Sequence, residues 1–383
     1  MEQVPEFISQ LPTPCCLIEK QKLQRNIARL SNHIGQLGCQ IRPHVKTHKS
    51  IDVTREIING GNVKGITVST LREAQHFFEH GFSDILYAVG ITPNKLEQVA
   101  QLMQSGCDIK IVLDNPDMAN LILQTAQQLA CTFKIMIELD TDGHRSGVDP
   151  KSDELIEIAK MLEGNEYTQL IGVMTHAGES YACFTHESKL AMAKQERDLS
   201  LLAAERLRQA GYACDEVSIG SSPTAHAIDN LDGITEVRAG VYVFFDLVMS
   251  GLQVCNQEDI AMSVLASVIG YQKDKNWVIT DAGWMAMSRD RGTQSHSVDQ
   301  GYGVVRDQQG KLLGDYIVND ANQEHGIVRH RDPNHGFSID AFPLAGKVRV
   351  LPNHACSTAA QFDHFIVVDQ DRVIAQWPSV RGW

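Results

Sequence analysis

The chain reads as an α/β protein: an eight-stranded (β/α)8 TIM barrel joined to a second, mostly antiparallel β domain. Three observations predict this. Eight short β-branched runs alternate with longer amphipathic stretches between residues 39 and 245, glycines stand where those stretches should stop, and after residue 250 the alternation ceases. Strands separated by helical crossovers imply a parallel sheet, and eight repeats point to closure into a barrel, with an open doubly wound sheet as the competing arrangement.

The eight runs are CQIRPHV (39–45), GITVST (65–70), DILYAVG (84–90), IKIVLD (109–114), FKIMIELD (133–140), LIGVMTH (170–176), EVSIG (216–220) and TEVRAGVYVF (235–244). LREAQHFFEHG and NKLEQVAQLMQSG between them carry apolar residues at helical spacing, and Gly61, Gly81, Gly106, Gly164 and Gly211 occupy expected C-cap positions. Beyond 250, MSVLASVIGY, NWVITDAG, GYGVVRD, GKVRVLP and FIVVDQ are separated by Gly-, Asp- and Asn-rich gaps too short for long helices. These runs predict antiparallel strands. Val4 to Cys16, with three prolines, is expected to add an extended strand to them. The domain division is therefore 17–248 for the barrel and 1–16 plus 249–383 for the β domain.

A chain of 383 residues exceeds one ordinary core, which accords with two domains. The formal charge of −13 argues against nucleic acid as a main partner, and no apolar run reaches the ~18 residues of a membrane helix. Met1 to Gln10 has no basic segment of the secretory kind, and nine scattered cysteines without a CxxC pair fit a reducing cytoplasm.

Barrel active sites lie at the C-terminal ends of the strands, so the residues after each run are the candidates. The first run leads into PHVKTHK, which places His44, Lys46, His48 and Lys49 there. A lysine so placed is a nucleophile if burial or a nearby cation lowers its pKa; otherwise the segment is a solvated loop. DTDGHRSGV offers Arg145 as a clamp for a carboxylate or cofactor, against a plain turn. The sixth run ends at His176, with Tyr181 soon after. Gly220-Ser-Ser222-Pro-Thr224 is a small-residue turn of the kind that cradles phosphate, and the eighth run holds Arg238, Gly240 and Tyr242, with Gly240 allowing close approach of a ligand. In the β domain, LPNHACSTAAQFD sets His354 and Cys356 two apart, a borderline-soft pair that favours zinc if the segment is extended. The alternative is a loop cysteine and a capping histidine.

Taken together, PHVKTHK, MTHAG, SIGSSPT, EVRAGVYVF and PNHAC resemble the fold-type III pyridoxal-phosphate family, of which alanine racemase is the best-known member. Within it the chain is similar to the D-serine dehydratase and D-threonine aldolase branch, over nearly its whole length. The resemblance implies pyridoxal 5′-phosphate on Lys46 as a Schiff base and His176 against the ring. Ser222, Thr224, Gly240 and Val241 would surround the phosphate, and Arg238 or Tyr181 would meet the pyridine nitrogen. His44 and Arg145 complete the expected cofactor set. It also implies a zinc ion, or another divalent metal, on His354 and Cys356, and a homodimer. The second catalytic base of the racemases, a tyrosine of the β domain, has no recognisable motif here.

The branch shows His-x-Asp in aldolases and His-x-Cys in dehydratases. His354-Ala-Cys356 therefore implies a dehydratase (ammonia-lyase) of a D-3-hydroxy amino acid, D-serine giving pyruvate and ammonia. The competing readings are a D-threonine-type aldolase, a D-threo-3-hydroxyaspartate dehydratase giving oxaloacetate, and a non-catalytic pyridoxal-phosphate-binding protein. The β domain and its metal motif count against the last.

Overall fold

The computed structural model describes residues 5–383 and divides into two compact units. One comprises residues 28–46, 57–240 and 382–383; the other comprises 5–27, 47–56 and 241–381. The first strand of the chain, β1 (Cys15–Glu19), belongs to the second unit.

The first unit holds β2 (Gln40–Pro43), β3 (Ile66–Val68), β4 (Asp84–Gly90), β5 (Asp108–Leu113), β6 (Phe133–Leu139), β7 (Thr168–Thr175), β8 (Glu216–Ile219) and β9 (Glu236–Ala239). All are parallel and run in chain order around the sheet, with β2 beside β9. Bridges from Ile41 to Val63 and from His44 to Thr67 bring β2 against the β3 side, which closes the barrel. An open sheet is thereby excluded. The eight expected runs are its eight strands. Four of the five expected C-cap glycines, at 61, 81, 106 and 211, have φ between 81° and 97°. Gly164 instead ends its helix at φ −76°, a conformation any residue can take.

Alternation along the strands sorts the barrel's residues into two sets. One is apolar and dominated by Ile41, Ile85, Ile109, Ile135 and Val237. The other is layered. Near the strand starts, fully buried Arg42 meets Glu236 at 2.7 Å and Asp84 at 2.9 Å, and Lys110 joins Asp84 at 2.9 Å. Burying these charges is tolerable only because each has a bonded partner. Further along, Leu86, Val112, Met136 and Met174 form an apolar plug. The strand ends beyond it are polar.

The second unit holds β1, β10 (Met262–Gln272), β11 (Trp277–Thr280), β12 (Gly303–Asp307), β13 (Leu312–Ala321), β14 (Gly326–His330), β15 (Lys347–Pro352), β16 (His364–Asp369) and β17 (Arg372–Pro378). The order β11-β14-β13-β12-β15-β10, with β10 also pairing β11, makes a closed six-stranded antiparallel barrel. A register shift between Val268 and Gly270 lets the two halves of β10 serve different neighbours. Its core includes Val264, Val278, Val305, Val318, Val328, Phe342 and Val350. β1, β16 and β17 extend the sheet, with β1 antiparallel to β10 and parallel to β16. In the proline-rich segment ahead of β1, Phe7 bridges to Arg372 and Ile8–Gln10 forms a short turn of helix. Val4 lies outside the described residues. Among the described residues no helix is long and apolar enough to cross a membrane.

Candidate active site

In the barrel, β2 ends at Pro43 and one helical turn, Val45–Thr47, follows. Val45 is buried while the Lys46 side chain is exposed, so the turn anchors on one and presents the other. The amide of Lys46 faces His44 Nδ1 at 3.5 Å. Desolvation, with Lys46 and Arg238 adding to it, holds His44 well below the ordinary imidazole pKa. His176 follows β7, and its Nδ1 donates to the Gly220 carbonyl at 3.1 Å. Burial, reinforced by the Lys46 charge, pushes its pKa down to about 3. His176 is therefore a neutral, flat ring with its tautomer fixed and Nε2 unprotonated.

Arg238, on β9, is 4% exposed. Its guanidinium donates to Ser218 Oγ at 2.5 Å and to the Thr175 carbonyl. Arg145 is exposed, with its nearest carboxylate, Glu138, at 3.9 Å. Lys46, Arg145 and Arg238 all depress His176 electrostatically, which concentrates positive charge at these strand ends. Tyr181 lies in the turn Gly178–Ala182, its ring centroid 6.4 Å from that of His176.

After β8, Gly220 turns the chain at φ 133°, where a Cβ would stand 2.2 Å from the Arg238 carbonyl oxygen. Ser222 then opens a short helix, Ser222–Ala227, capped by Ser221. The Ser221 and Thr224 side chains are bonded to each other at 2.9 Å, so the Thr224 hydroxyl already braces the cap. Gly240 follows β9, and Val241 begins the turn Val241–Val243 in the other unit. Three cations, a neutral ring and a tight hydroxyl turn fit a cofactor made of a phosphate and a pyridine.

In the β unit, β15 ends at Pro352 and Asn353 is buried. Asn353 accepts from Thr293 Oγ1 at 2.5 Å and donates to the Gly301 carbonyl at 2.5 Å, tying the motif to the 288–302 loop. The segment is not extended through Cys356. His354 is the N-cap of a helix, Ala355–Ala359, so Cys356 is that helix's second residue. The side chains still meet, because the capping backbone folds back and the two are hydrogen-bonded. His354 Nδ1 lies 2.6 Å from Asp290 Oδ2, and the Cys356 Sγ lies 3.2 Å from Thr47 Oγ1. Burial alone would lower the His354 pKa, but Cys356 and Asp290 overcome it and push the value up to about 11. The pair brings a sulfur and an imidazole nitrogen together, donor types that a divalent cation takes in place of their protons. Among the described residues no three His, Cys, Asp or Glu side chains converge on one metal position. A metal here would take two protein ligands and keep its other positions for water or substrate oxygen.

Two residues that organise these centres escaped the sequence reading. Glu196, fully buried in the helix His186–Gln209, accepts the amides of Ala177 (3.1 Å) and Gly220 (2.9 Å). It joins the loops after β7 and β8, and burial raises its pKa. Its signal was present: Ala193, Glu196, Ser200 and Ala203 share one buried stripe, where an acid is out of place. Asp290 sits in a loop with no periodicity and gave no such signal.

The alanine racemase N-terminal domain matches residues 18–248, and a serine dehydratase domain matches residues 261–368. A D-threo-3-hydroxyaspartate dehydratase of Delftia sp. is 48% identical over 97% of this chain and 98% of its own length. The solved structure of the enzyme from Delftia sp. HT23 superposes with a TM-score of 0.95, at 47% identity, over 99% of this chain and all of that one. A D-serine dehydratase of Dictyostelium discoideum is 31% identical over the full length of both. A D-threonine aldolase from Filomicrobium marinum, at 20% identity, shares the fold with a TM-score of 0.82 over 98% of this chain and 97% of that one. With both domains matched in order, the chain belongs to the fold-type III pyridoxal-phosphate enzymes, as a lyase with an alanine racemase-like barrel and a serine dehydratase domain.

Proposed function

We propose that the protein is a metal-assisted dehydratase of D-3-hydroxy amino acids, acting on D-threo-3-hydroxyaspartate to give oxaloacetate and ammonia. The observation that carries this is the His354–Cys356 pair, with His354 Nδ1 held by Asp290, in a chain whose similar relatives are dehydratases. D-serine is the second reading, favoured by the full-length likeness to a D-serine dehydratase.

Lys46 would hold the cofactor and afterwards take the substrate's Cα proton on Nζ. Bound pyridoxal phosphate supplies the electron sink for the charge left on Cα. His176, neutral at working pH, would pack its face on the pyridine without competing for a proton. The Ser222–Thr224 turn, with Gly240 and Val241, would hold the phosphate. Arg238 would serve the pyridine side, with Tyr181 as the alternative donor. His44 would keep the Lys46 turn free of a second charge, and Arg145 would receive a substrate carboxylate. His354 and Cys356 would hold zinc or another divalent ion, whose Lewis acidity eases departure of the β-hydroxyl. We further infer a homodimer in a reducing cytoplasm. No disulfide joins any of the nine cysteines among the described residues, which supports the compartment. Light scattering tests the dimer.

The deciding assay is 2-oxo acid release from D-threo-3-hydroxyaspartate, D-serine, D-threonine and L-serine, before and after chelation and with zinc or manganese restored. Release from the D-isomers alone, lost on chelation and regained with metal, is the expected result. Glycine formed from D-threonine without oxo acid would establish the aldolase instead.

A further inference from the structure

Two carboxylates approach the His354–Cys356 pair, and their bonding separates their roles. Asp246 is fully buried, and its oxygens accept the amides of Met249 and Ala355, both at 2.9 Å. It caps two helices and its hydrogen-bonding is spent on backbone. Asp290 differs. Its Oδ2 receives His354 Nδ1 at 2.6 Å and the Ser357 hydroxyl at 3.1 Å.

The loop that delivers Asp290 is built to a narrow tolerance. Ser288 has φ 72°, a left-handed value that costs a non-glycine residue free energy, and its hydroxyl accepts the Asp290 amide at 3.1 Å. One residue before Ser288, the Met287 carbonyl accepts Thr358 Oγ1 at 2.8 Å. Ser357 and Thr358, adjacent on the helix that begins after His354, thus grip both the carboxylate and the base of its loop. At Gly292 a Cβ would stand 2.7 Å from Val248 Cγ2 and 3.3 Å from Asp290 Oδ1, so the far side of the loop has no room for a side chain.

We propose that Asp290 is the positioning carboxylate of this centre. By accepting the hydrogen bond of Nδ1–H it fixes His354 in the tautomer whose Nε2 carries the lone pair, and it adds the charge that lets two protein ligands retain a divalent metal. Carboxylate partners of metal-binding histidines act in this way. The proposal rests on His354 and Cys356 being the metal ligands.

The test uses the cofactor-loaded full chain as Asp290→Ala, Asp290→Asn and, for reference, His354→Ala. Zinc dissociation constants are measured by competition with a chromophoric chelator, and the thiolate-to-cobalt charge-transfer band is recorded after cobalt substitution. Asp290→Ala is expected to weaken zinc by about 10–100-fold. Asp290→Asn should fall less, because its amide oxygen can still accept Nδ1–H. Pyridoxal-phosphate content and the unfolding midpoint should hold in Asp290→Asn, which keeps the test valid if the alanine variant misfolds. A parental zinc constant in both Asp290 variants, with zinc lost in His354→Ala, would overturn the role of Asp290. Parental zinc binding in His354→Ala would overturn the metal assignment itself, and this proposal with it.

Discussion

The two barrels build their polar centres by opposite means. The parallel barrel repeats one unit, strand then helix, and several repeats deliver a residue to the same rim. Lys46, His176, Ser222 and Arg238 are there because their strands end there. The antiparallel barrel has no such common rim. His354 and Cys356 meet where β15 stops and a short helix starts, and Asn353, Asp246 and Asp290 hold that break in place. A periodic scaffold brings its residues together by the repeat itself, whereas a break must be pinned residue by residue.

That contrast can be broken by substitutions in either barrel. The largest effect is expected from Lys46→Ala, which should reduce oxo-acid turnover by roughly 10³-fold or more while zinc content stays parental. A parallel loss of zinc would show that the centres are not separable. His354→Ala should cost about 10²-fold in turnover and abolish sensitivity to chelators, with pyridoxal phosphate retained. Glu196→Ala strips an acceptor from two buried amides, and should destabilise the barrel by about 2–4 kcal/mol in urea unfolding, with Glu196→Gln milder. An unchanged midpoint would mean that the two loops close without it.

The smallest effect concerns pH. His176 titrates at about 3 in the fold against 6.5 in an unfolded chain. Between those values the unfolded state binds a proton that the folded one refuses, so this residue makes stability rise with pH and fall on acidification below 6.5. His176→Gln should flatten the slope of the barrel's unfolding free energy between pH 4 and 6. Identical slopes would place the titration elsewhere.

The barrel was legible because its strands repeat: all eight runs were readable, although TEVRAGVYVF overran its strand, which stops at Ala239 before a tight turn. The β domain was only half legible. β13 carries Gly314 and Asp315 and a register shift near Asp320, which breaks alternation, and β14 spans only Gly326–His330. β17 is an edge strand most of whose residues are exposed. The pairing of His354 with Cys356 was readable from their spacing, but its geometry was not. A helix N-cap and an extended strand can both bring such a pair together. Asp290 was invisible because proximity between residues 290 and 354 arises only from tertiary folding.

The placement of β1 has a consequence for how the molecule comes into being. Cys15 pairs with Leu265, and Leu17 with Ile366, so this early strand sits between one partner translated after the whole parallel barrel and another translated near the end. Residues 28–240 can close their barrel while synthesis continues, since each strand finds its neighbour soon after it emerges. β1 meanwhile keeps an exposed apolar edge until β10 and β16 arrive. A pause or truncation before β10 emerges would thus leave a finished parallel barrel tethered to an unpaired strand, a species open to self-association.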